Sequence, residues 1–453
     1  MRPIIPKSLF LLADRSPKPL YVVGGSVRDF LAGMHSSSKD WDVCSPLPAD
    51  IFVDLAKSNG FTIQGVYKNT GTVKLRDTEG TEFEFSPFRS DKYVRGVHVP
   101  VEICFTEDIT LDAKRRDFTC NAIYYDVKND SYVDPLNGIS AVADKRLTTV
   151  APAEKVFGED GLRLMRLARQ AAQLGFTPDA DCLRGAAQNA SLIADISPER
   201  IFAELSAILS SDQKYGIPDG PYKGLKILEQ TGVLSHLLPE LTLGKGMLQR
   251  PDFHKYDVLE HSLRAVCYAP PEIRLAALLH DVGKPFCMER DGNGFQHPEE
   301  GAQIAKTILK RLKAPKRETE KIVSLVSLHM YDFNCETKET KLRRFFVKHY
   351  PLLPDLLKLK QADFSACTDD LSLAPTCRKW NVLLETMERE RAPMTLKQLA
   401  VNGKDLLSLN VPPERISEIL QTLLLFAAVH PTKNKKERLL KLAQSQLRIV
   451  TTP

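Results

Sequence analysis

The feature that most constrains this chain is a change of hydrophobic period near residue 148. Up to that point apolar residues gather in short strand-length stretches: YVV, WDVC, VKLR, EFEFSPF and AIYYDV. Two helices fit between them, around 26–33 and 49–59. Beyond VDPLNGISAVADKRLTTV the spacing turns helical and stays so. In EDGLRLMRLARQAAQLG, Leu162, Met165, Leu167 and Ala168 follow helical spacing, and Gly175 is a stop signal. SPERIFAELSAIL offers Ser197 as N-cap and Pro198 at the first helical position. The order predicts an α+β chain: an N-terminal mixed sheet with helices, followed by an all-α body. Breaks in composition, including the Gly, Pro and His cluster at 244–256, divide it into 1–148, 149–245, 246–390 and 391–453.

No apolar run among the 453 residues approaches the roughly 20 residues of a membrane span. The short apolar stretch Leu9–Ala13 is followed by charges and lacks a small-residue cleavage site, so no signal peptide is read and a cytoplasmic protein is expected. Nine cysteines without a Cys-x-x-Cys pair point to reduced thiols rather than a zinc ribbon or disulfide frame. A net charge of +5 is compatible with a nucleic-acid partner without establishing one. The basic run Lys433, Lys435, Lys436, Arg438 and Lys441 reads either as a phosphate contact or as a solvated helix face.

Two sets of residues carry chemistry. In the first, a strand (Tyr21-Val22-Val23) ends in Gly24-Gly25 and runs into a helix bearing Arg28, a turn that can aim backbone N–H groups at phosphate. Asp40 and Asp42 then fall at i and i+2, on one face of a strand. Like charges held together need cations, and this carboxylate spacing suits Mg²⁺. In Glu82-Phe83-Glu84-Phe85 the two acids share a face, and either can complete a metal set. Arg115-Arg116-Asp117, with Asn121 shortly after, can clamp a triphosphate. Asp160, Arg163 and Arg166, with Arg169 beyond, are expected on one broad helix stripe.

The ordered motifs GGSVRD, DWD, RRDFTCNA, VDPLNG, EDGLRLMR and SPERI resemble the class II tRNA nucleotidyltransferase (CCA-adding enzyme) and bacterial poly(A) polymerase superfamily. That resemblance covers roughly residues 20–245. It implies a polymerase β-like head domain and a helical neck that selects nucleotides and binds RNA. Asp40 and Asp42 would be the Mg²⁺ carboxylates, with Glu84 the third catalytic acid. Gly24, Gly25, Arg28, Arg116, Asp117, Asn121, Asp160, Arg163, Arg166 and Arg169 would bind nucleotide. Asp160 and Arg163 would act as an amino-acid template. The implied partners are tRNA, CTP and ATP. Residues 88–119 resemble the family's flexible loop, whose presence favours addition of the full C, C and A. Where the loop usually has an acid and paired arginines, this chain has Lys92, Tyr93, Arg95, Gly96, Val97 and His98. Cys120 replaces the usual aliphatic residue.

The second set lies in 254–285 and beyond. An apolar helix, Ile273–Leu279, ends in His280-Asp281, with Gly283 and Pro285 as stop signals. Such a pair on a buried helix end needs partners or a cation, and imidazole with carboxylate suits Mn, Ni, Fe or Zn better than Mg. With His261, His297, His329 and Asp363 it resembles the HD phosphohydrolase superfamily. By that resemblance His261, His280, Asp281 and Asp363 would be metal ligands, and His297 and His329 would serve a second metal or a phosphate. His254 stands outside the set. The leading reading is a CCA-adding transferase with a possible HD phosphohydrolase activity. Poly(A) polymerase, a partial CC- or A-adding enzyme, and an HD hydrolase with a non-catalytic RNA-binding first half are the alternatives.

Overall fold

The computed structural model describes residues 5–34, 40–94 and 97–450, except that the side chains of Asp40 and of residues 446–450 lie outside the described residues. Arg95 and Gly96 of the loop also lie outside them. The chain forms two compact units, Met1–Thr242 with Ile308–Ala314, and Leu243–Thr307 with Pro315–Pro453.

After a first helix α1 (Lys7–Asp14), the first unit builds a mixed sheet from β1 (Tyr21–Val23), β2 (Asp40–Ser45), β3 (Thr62–Tyr67), β4 (Thr72–Arg76) and β5 (Glu82–Pro87), closed by β8 (Tyr124–Asp126) and β9 (Ser131–Val133). Strand order is β3-β4-β5-β2-β1-β8-β9. Among the described residues of this sheet only the β2–β5 pair is parallel, and its register sets Asp42 beside Glu84 and Val43 beside Phe85. Period-two alternation therefore puts acids on one face and aromatics on the other. Phe85 stacks on Phe52 of α3 (Ala49–Ser58) with ring centroids 3.6 Å apart, covering the apolar face. Helix α2 (Gly25–Leu31) follows β1 through Gly24, at φ +80°.

Between β5 and β8 lie a separate hairpin, β6 (Arg89–Lys92) with β7 (Glu102–Phe105), and α4 (Ile109–Lys114). Most of the expected loop is thus an ordered ribbon leading into a helix. Helices α5 (Gly138–Ala143), α6 (Ala153–Glu159), α7 (Leu162–Leu174), α8 (Ala180–Gln188) and α9 (Pro198–Leu209) continue the unit. As expected, α7 stops at Gly175 in the left-handed region and α9 starts at Pro198 behind Ser197. Contrary to the expectation from their spacing, Asp160, Arg163 and Arg166 do not share a helix stripe. Asp160 sits between α6 and α7 in an extended conformation (φ −146°, ψ 108°), and its Oδ1 accepts the Leu162 N–H at 3.0 Å. A residue that caps a helix cannot also ride on it.

Among its described residues the second unit has helices joined by turns and no strand, and the helices that matter for chemistry are Val258–Tyr268, Arg274–Leu279, His297–Arg311 (whose last turn belongs to the first unit), Lys316–Leu328 and Leu353–Thr368. All nine cysteines are free thiols. Among the described residues no helix is long and apolar enough to cross a membrane.

Candidate active site and metal centre

In the first unit a cleft of about 470 Å³ opens where β1, β2 and the Arg115–Asn121 segment meet α7. Gly24, Gly25, Arg28, Asp42, Arg116, Asp117, Asn121, Asp160, Arg163, Arg166 and Arg169 all line it, although they span 146 positions from 24 to 169. Arg115, Gln170, Arg200 and Lys214 complete its polar wall. Eight cationic side chains (Arg28, Arg115, Arg116, Arg163, Arg166, Arg169, Arg200, Lys214) face three carboxylates (Asp42, Asp117, Asp160). That surplus suits a polyanion.

Asp42 is exposed at the cleft. A Cβ at Gly24 would stand 3.0 Å from its Oδ2, so the glycine is required by both its positive φ and this approach. Glu84 neighbours Asp42 in register, but it is exposed and pairs with Lys74 at 3.6 Å rather than lining the cleft. Glu82 pairs with Arg76.

Several cleft residues hold one another. Asp117 is buried. Its Oδ1 accepts the Phe118 N–H (2.8 Å) and Asn121 Nδ2 (2.9 Å), and its Oδ2 accepts Arg166 Nε (2.8 Å) and Gln170 Nε2 (3.3 Å). Burial alone would raise its pKa, yet Arg166 and these hydrogen bonds hold it well below the carboxylate range. Arg28 is buried, with Nε donating to Asp29 at 2.9 Å and Nη1 to Asn121 Oδ1 at 2.6 Å. Arg169 reaches Glu204 at 2.6 Å.

Arg163 is buried too. Nη1 donates to the Val156 carbonyl (3.0 Å) and Glu159 (2.8 Å), and Nη2 to the Arg115 carbonyl (2.8 Å). Its guanidinium lies over Tyr93, 5.4 Å from the ring centre. His98, buried and at φ +56°, accepts the Gly161 N–H on Nδ1 at 3.1 Å. Tyr93 and His98, which lie between β6 and β7, therefore touch the Asp160–Arg163 segment at two points.

Below the cleft, Asp112 is fully buried. Its oxygens accept Arg115 Nε (2.7 Å), Arg116 Nη2 (3.0 Å) and the Tyr124 hydroxyl (2.7 Å). Despite burial, Arg116, Arg115 and Tyr124 hold it at about 2. Asp112 sets the direction of both arginines.

In the second unit, two donor groups meet. The ligand atoms of His261, His280 and Asp363 all lie within 4.8 Å of one another, as do those of Asp281, His297 and His329. Asp281 spans both groups. Its Oδ2 is 3.4 Å from His261 and from His280 Nε2, and its Oδ1 is 3.2 Å from His297 and 3.7 Å from His329 Nε2. His261 Nε2 is 3.1 Å from Asp363 Oδ1. The rings of His280, His297 and His329 are each fixed by Nδ1 bonding a carbonyl three residues earlier, Ala277, Gly294 and Val326, at 2.6–2.7 Å. Such bonds direct Nε2 into the site. Burial lowers His280, but Asp281 and Asp363 outweigh it and raise the imidazole to about 10; burial leaves His329 at about 4. Lys284 contributes an ammonium 2.6 Å from Asp281 Oδ2. Buried imidazoles and carboxylates packed this closely fit divalent cations of the transition series.

Three family descriptions match the chain: the poly A polymerase head domain over residues 20–148, the probable RNA and SrmB-binding site of polymerase A over 175–243, and the HD domain over 258–363. The A-adding tRNA nucleotidyltransferase of Deinococcus radiodurans is 32% identical over 431 residues, covering 90% of this chain and 91% of that protein. The chain belongs to the tRNA nucleotidyltransferase family. Within that family, the CC-adding tRNA nucleotidyltransferase of Thermus thermophilus is 31% identical, covering 87% of this chain and 86% of that protein. The structure of the CCA-adding enzyme of Bacillus stearothermophilus in complex with CTP has the same fold, with a TM-score of 0.67 and 24% identity, over 97% of this chain and 96% of that one. The head and HD matches imply divalent-metal use in a member of this family.

Sequence reasoning missed Asp112, Gln170, Tyr93 and Lys284 as site residues, and it left His98 without a role. Asp112 had a readable signal: it stands at i−3 and i−4 from the two arginines of a short helix end. Gln170 and His98 reach partners 53 and 63 positions away, which no local pattern reveals.

Proposed function

We propose that this chain adds C, C and A to tRNA 3′ ends from CTP and ATP, and that its second unit is a metal-dependent phosphohydrolase. The observation that carries the first reading is the cleft itself, where a cationic surplus surrounds Asp42 and opens onto Asp160 and Arg163. Magnesium ions held by Asp40 and Asp42, with Glu84 beside them, supply Lewis-acid stabilisation when bound.

The chain's own residues do the rest. Arg116 and Arg28, aimed by Asp112 and Asp29, bind the triphosphate. The RNA 3′-hydroxyl attacks the α-phosphate in line, and pyrophosphate leaves among the arginines. Base choice falls to Asp160 and Arg163. Cytosine and adenine each present an amine donor beside a ring-nitrogen acceptor, which a carboxylate and a guanidinium match. Uracil and guanine reverse the pattern and leave charges unpaired. A guanidinium carries five N–H donors, and three of those on Arg163 are taken by Val156, Glu159 and Arg115. Two remain for a base, in a plane already fixed.

The ribbon touching this segment supports complete C, C and A addition. A second reading, addition of only part of the triplet, draws support from the A-adding and CC-adding relatives that align along most of the chain. Incubating tRNA transcripts that end before the first C, after the second C and after the A, with single and paired nucleotides, separates the two. Addition of C, C and A that then stops supports the first reading; incorporation of one base type alone supports the second, and a run of adenosines refutes both.

In the second unit, Asp281 and the five ligands around it support hydrolysis of phosphate esters, with cyclic phosphates and nucleotides as the substrates to test. Metal-dependent release of phosphate or opening of a cyclic phosphate, lost in Asp281→Asn, is the expected result. No turnover of either class with Mn, Ni, Fe or Zn refutes it.

A further inference from the structure

Beside the two donor groups spanned by Asp281 lies a third. His254, from the segment before the helix Val258–Tyr268, packs edge-on to His261, with ring centroids 5.1 Å apart at 83°. Cys367, one turn after Asp363 on the helix Leu353–Thr368, joins them, and donor atoms of all three lie within 4.8 Å of one another. Two buried nitrogens here, Nδ1 of His254 and Nδ1 of His261, have no hydrogen-bond partner. His280, His297 and His329 all engage Nδ1 with a carbonyl, so His261 is the exception among the histidines of this centre. An unpartnered buried polar atom is costly, and a cation is one way of satisfying it.

The donor chemistry differs from that of the neighbouring groups. Those combine imidazole with carboxylate, whereas this one combines two imidazoles with a thiol. Thiolate with imidazole selects zinc-like ions and disfavours magnesium. Bonds of about 2.0–2.1 Å to nitrogen and 2.3 Å to sulfur put tetrahedral donors roughly 3.4–3.7 Å apart, so side-chain rotations of about an ångström bring these donors together.

We propose that His254, His261 and Cys367 form an auxiliary site for a zinc-type divalent cation, sharing His261 with the adjoining centre. Cys367 Sγ now donates to the Asp363 carbonyl at 3.4 Å. On binding, the thiol proton leaves to solvent and a metal–sulfur bond forms in its place; where His261 Nε2 serves the adjoining centre at the same time, its Nδ1 proton also leaves to solvent and the ring bridges as imidazolate. The fourth position, with three protein ligands, is open to water. The site stands whether or not the adjoining centre hydrolyses any substrate.

The test uses the full chain, stripped with chelator and titrated with Co²⁺. A thiolate-to-cobalt charge-transfer band in the near ultraviolet is expected, lost in Cys367→Ser and weakened in His254→Ala, while the visible d–d bands of the adjoining imidazole–carboxylate ligands persist. Zinc content by mass spectrometry falls by about one ion per chain in Cys367→Ser. In the unaltered chain, zinc slows alkylation of Cys367, a readout that does not depend on a variant folding. Saturating cobalt that gives d–d bands without the charge-transfer band overturns the auxiliary site while leaving the adjoining centre intact. Equal zinc content in wild type and Cys367→Ser, or alkylation indifferent to zinc, overturns it as well.

Discussion

Replacing Asp112 by Asn tests whether one buried carboxylate organises the arginines proposed to bind phosphate. The drop of its pKa from 3.8 to about 2 corresponds to about 2–3 kcal/mol of stability at neutral pH, at roughly 1.4 kcal/mol per pH unit. Because the folded value is depressed, this stability is present above the unfolded pKa and is lost as pH falls toward about 2. About half of it remains at pH 3 by the same relation. Asn keeps an acceptor for one donor and removes the charge that Arg115 and Arg116 share. A loss of that size lowers the melting transition of a unit this large by roughly 5–10 °C.

Thermal unfolding of wild type and Asp112→Asn, followed at pH 7 and at pH 3, measures this directly. The gap between the two proteins should shrink by about half at the lower pH. Nucleotide addition below the melting temperature should show a raised KM for CTP and ATP alike, since the arginines lose their fixed direction. A pH-independent gap, or one under about 0.5 kcal/mol, would refute the claim that Asp112 is an ionised anchor.

Asp42→Asn should abolish nucleotide addition while sparing phosphohydrolysis by the second unit, and Asp281→Asn should do the reverse; parallel assays on one preparation decide it. His98→Ala removes the acceptor of the Gly161 N–H, worth about 1 kcal/mol. It should raise misincorporation of UTP severalfold, as read in single-nucleotide incorporation, and lower the melting transition by a few degrees. His280 is raised to about 10 by Asp281 and Asp363 against the pull of burial, so it is protonated at neutral pH and a metal must displace that proton. Metal affinity of the second unit should therefore rise with pH, by up to about tenfold per unit. Calorimetry in buffers of different ionisation enthalpy should find about one proton released per ion at pH 7.

Much of the site was legible because its chemistry sits at element ends. The strand–Gly24–Gly25–helix turn, the alternation in Glu82–Phe85 and the Gly175 stop are local patterns with one structural solution each. Strand β3 was not legible: TIQGVY carries a Gly and a register shift between Ile63 and Gly65, and its side chains are largely exposed. The ribbon β6–β7 hides in polar text, since RSDK has no apolar face to betray a strand. Asp160 was misplaced onto a helix because spacing of charges cannot distinguish a cap from a first turn. The pairing of Asp117 with Arg166, 49 positions apart, is a product of tertiary packing alone.

The carbonyl bonds that fix His280, His297 and His329 bear on when the ion is needed. Zinc fingers wait for metal because nothing else orders their ligands. Here main-chain oxygens have already oriented three imidazoles, and helix packing has already buried them. We expect the second unit to complete its fold first and accept its cation afterwards. Stripping with chelator should leave its helices intact, and the same chains should reload without refolding. Metal supply would then govern whether this half of the molecule works, but not whether it survives.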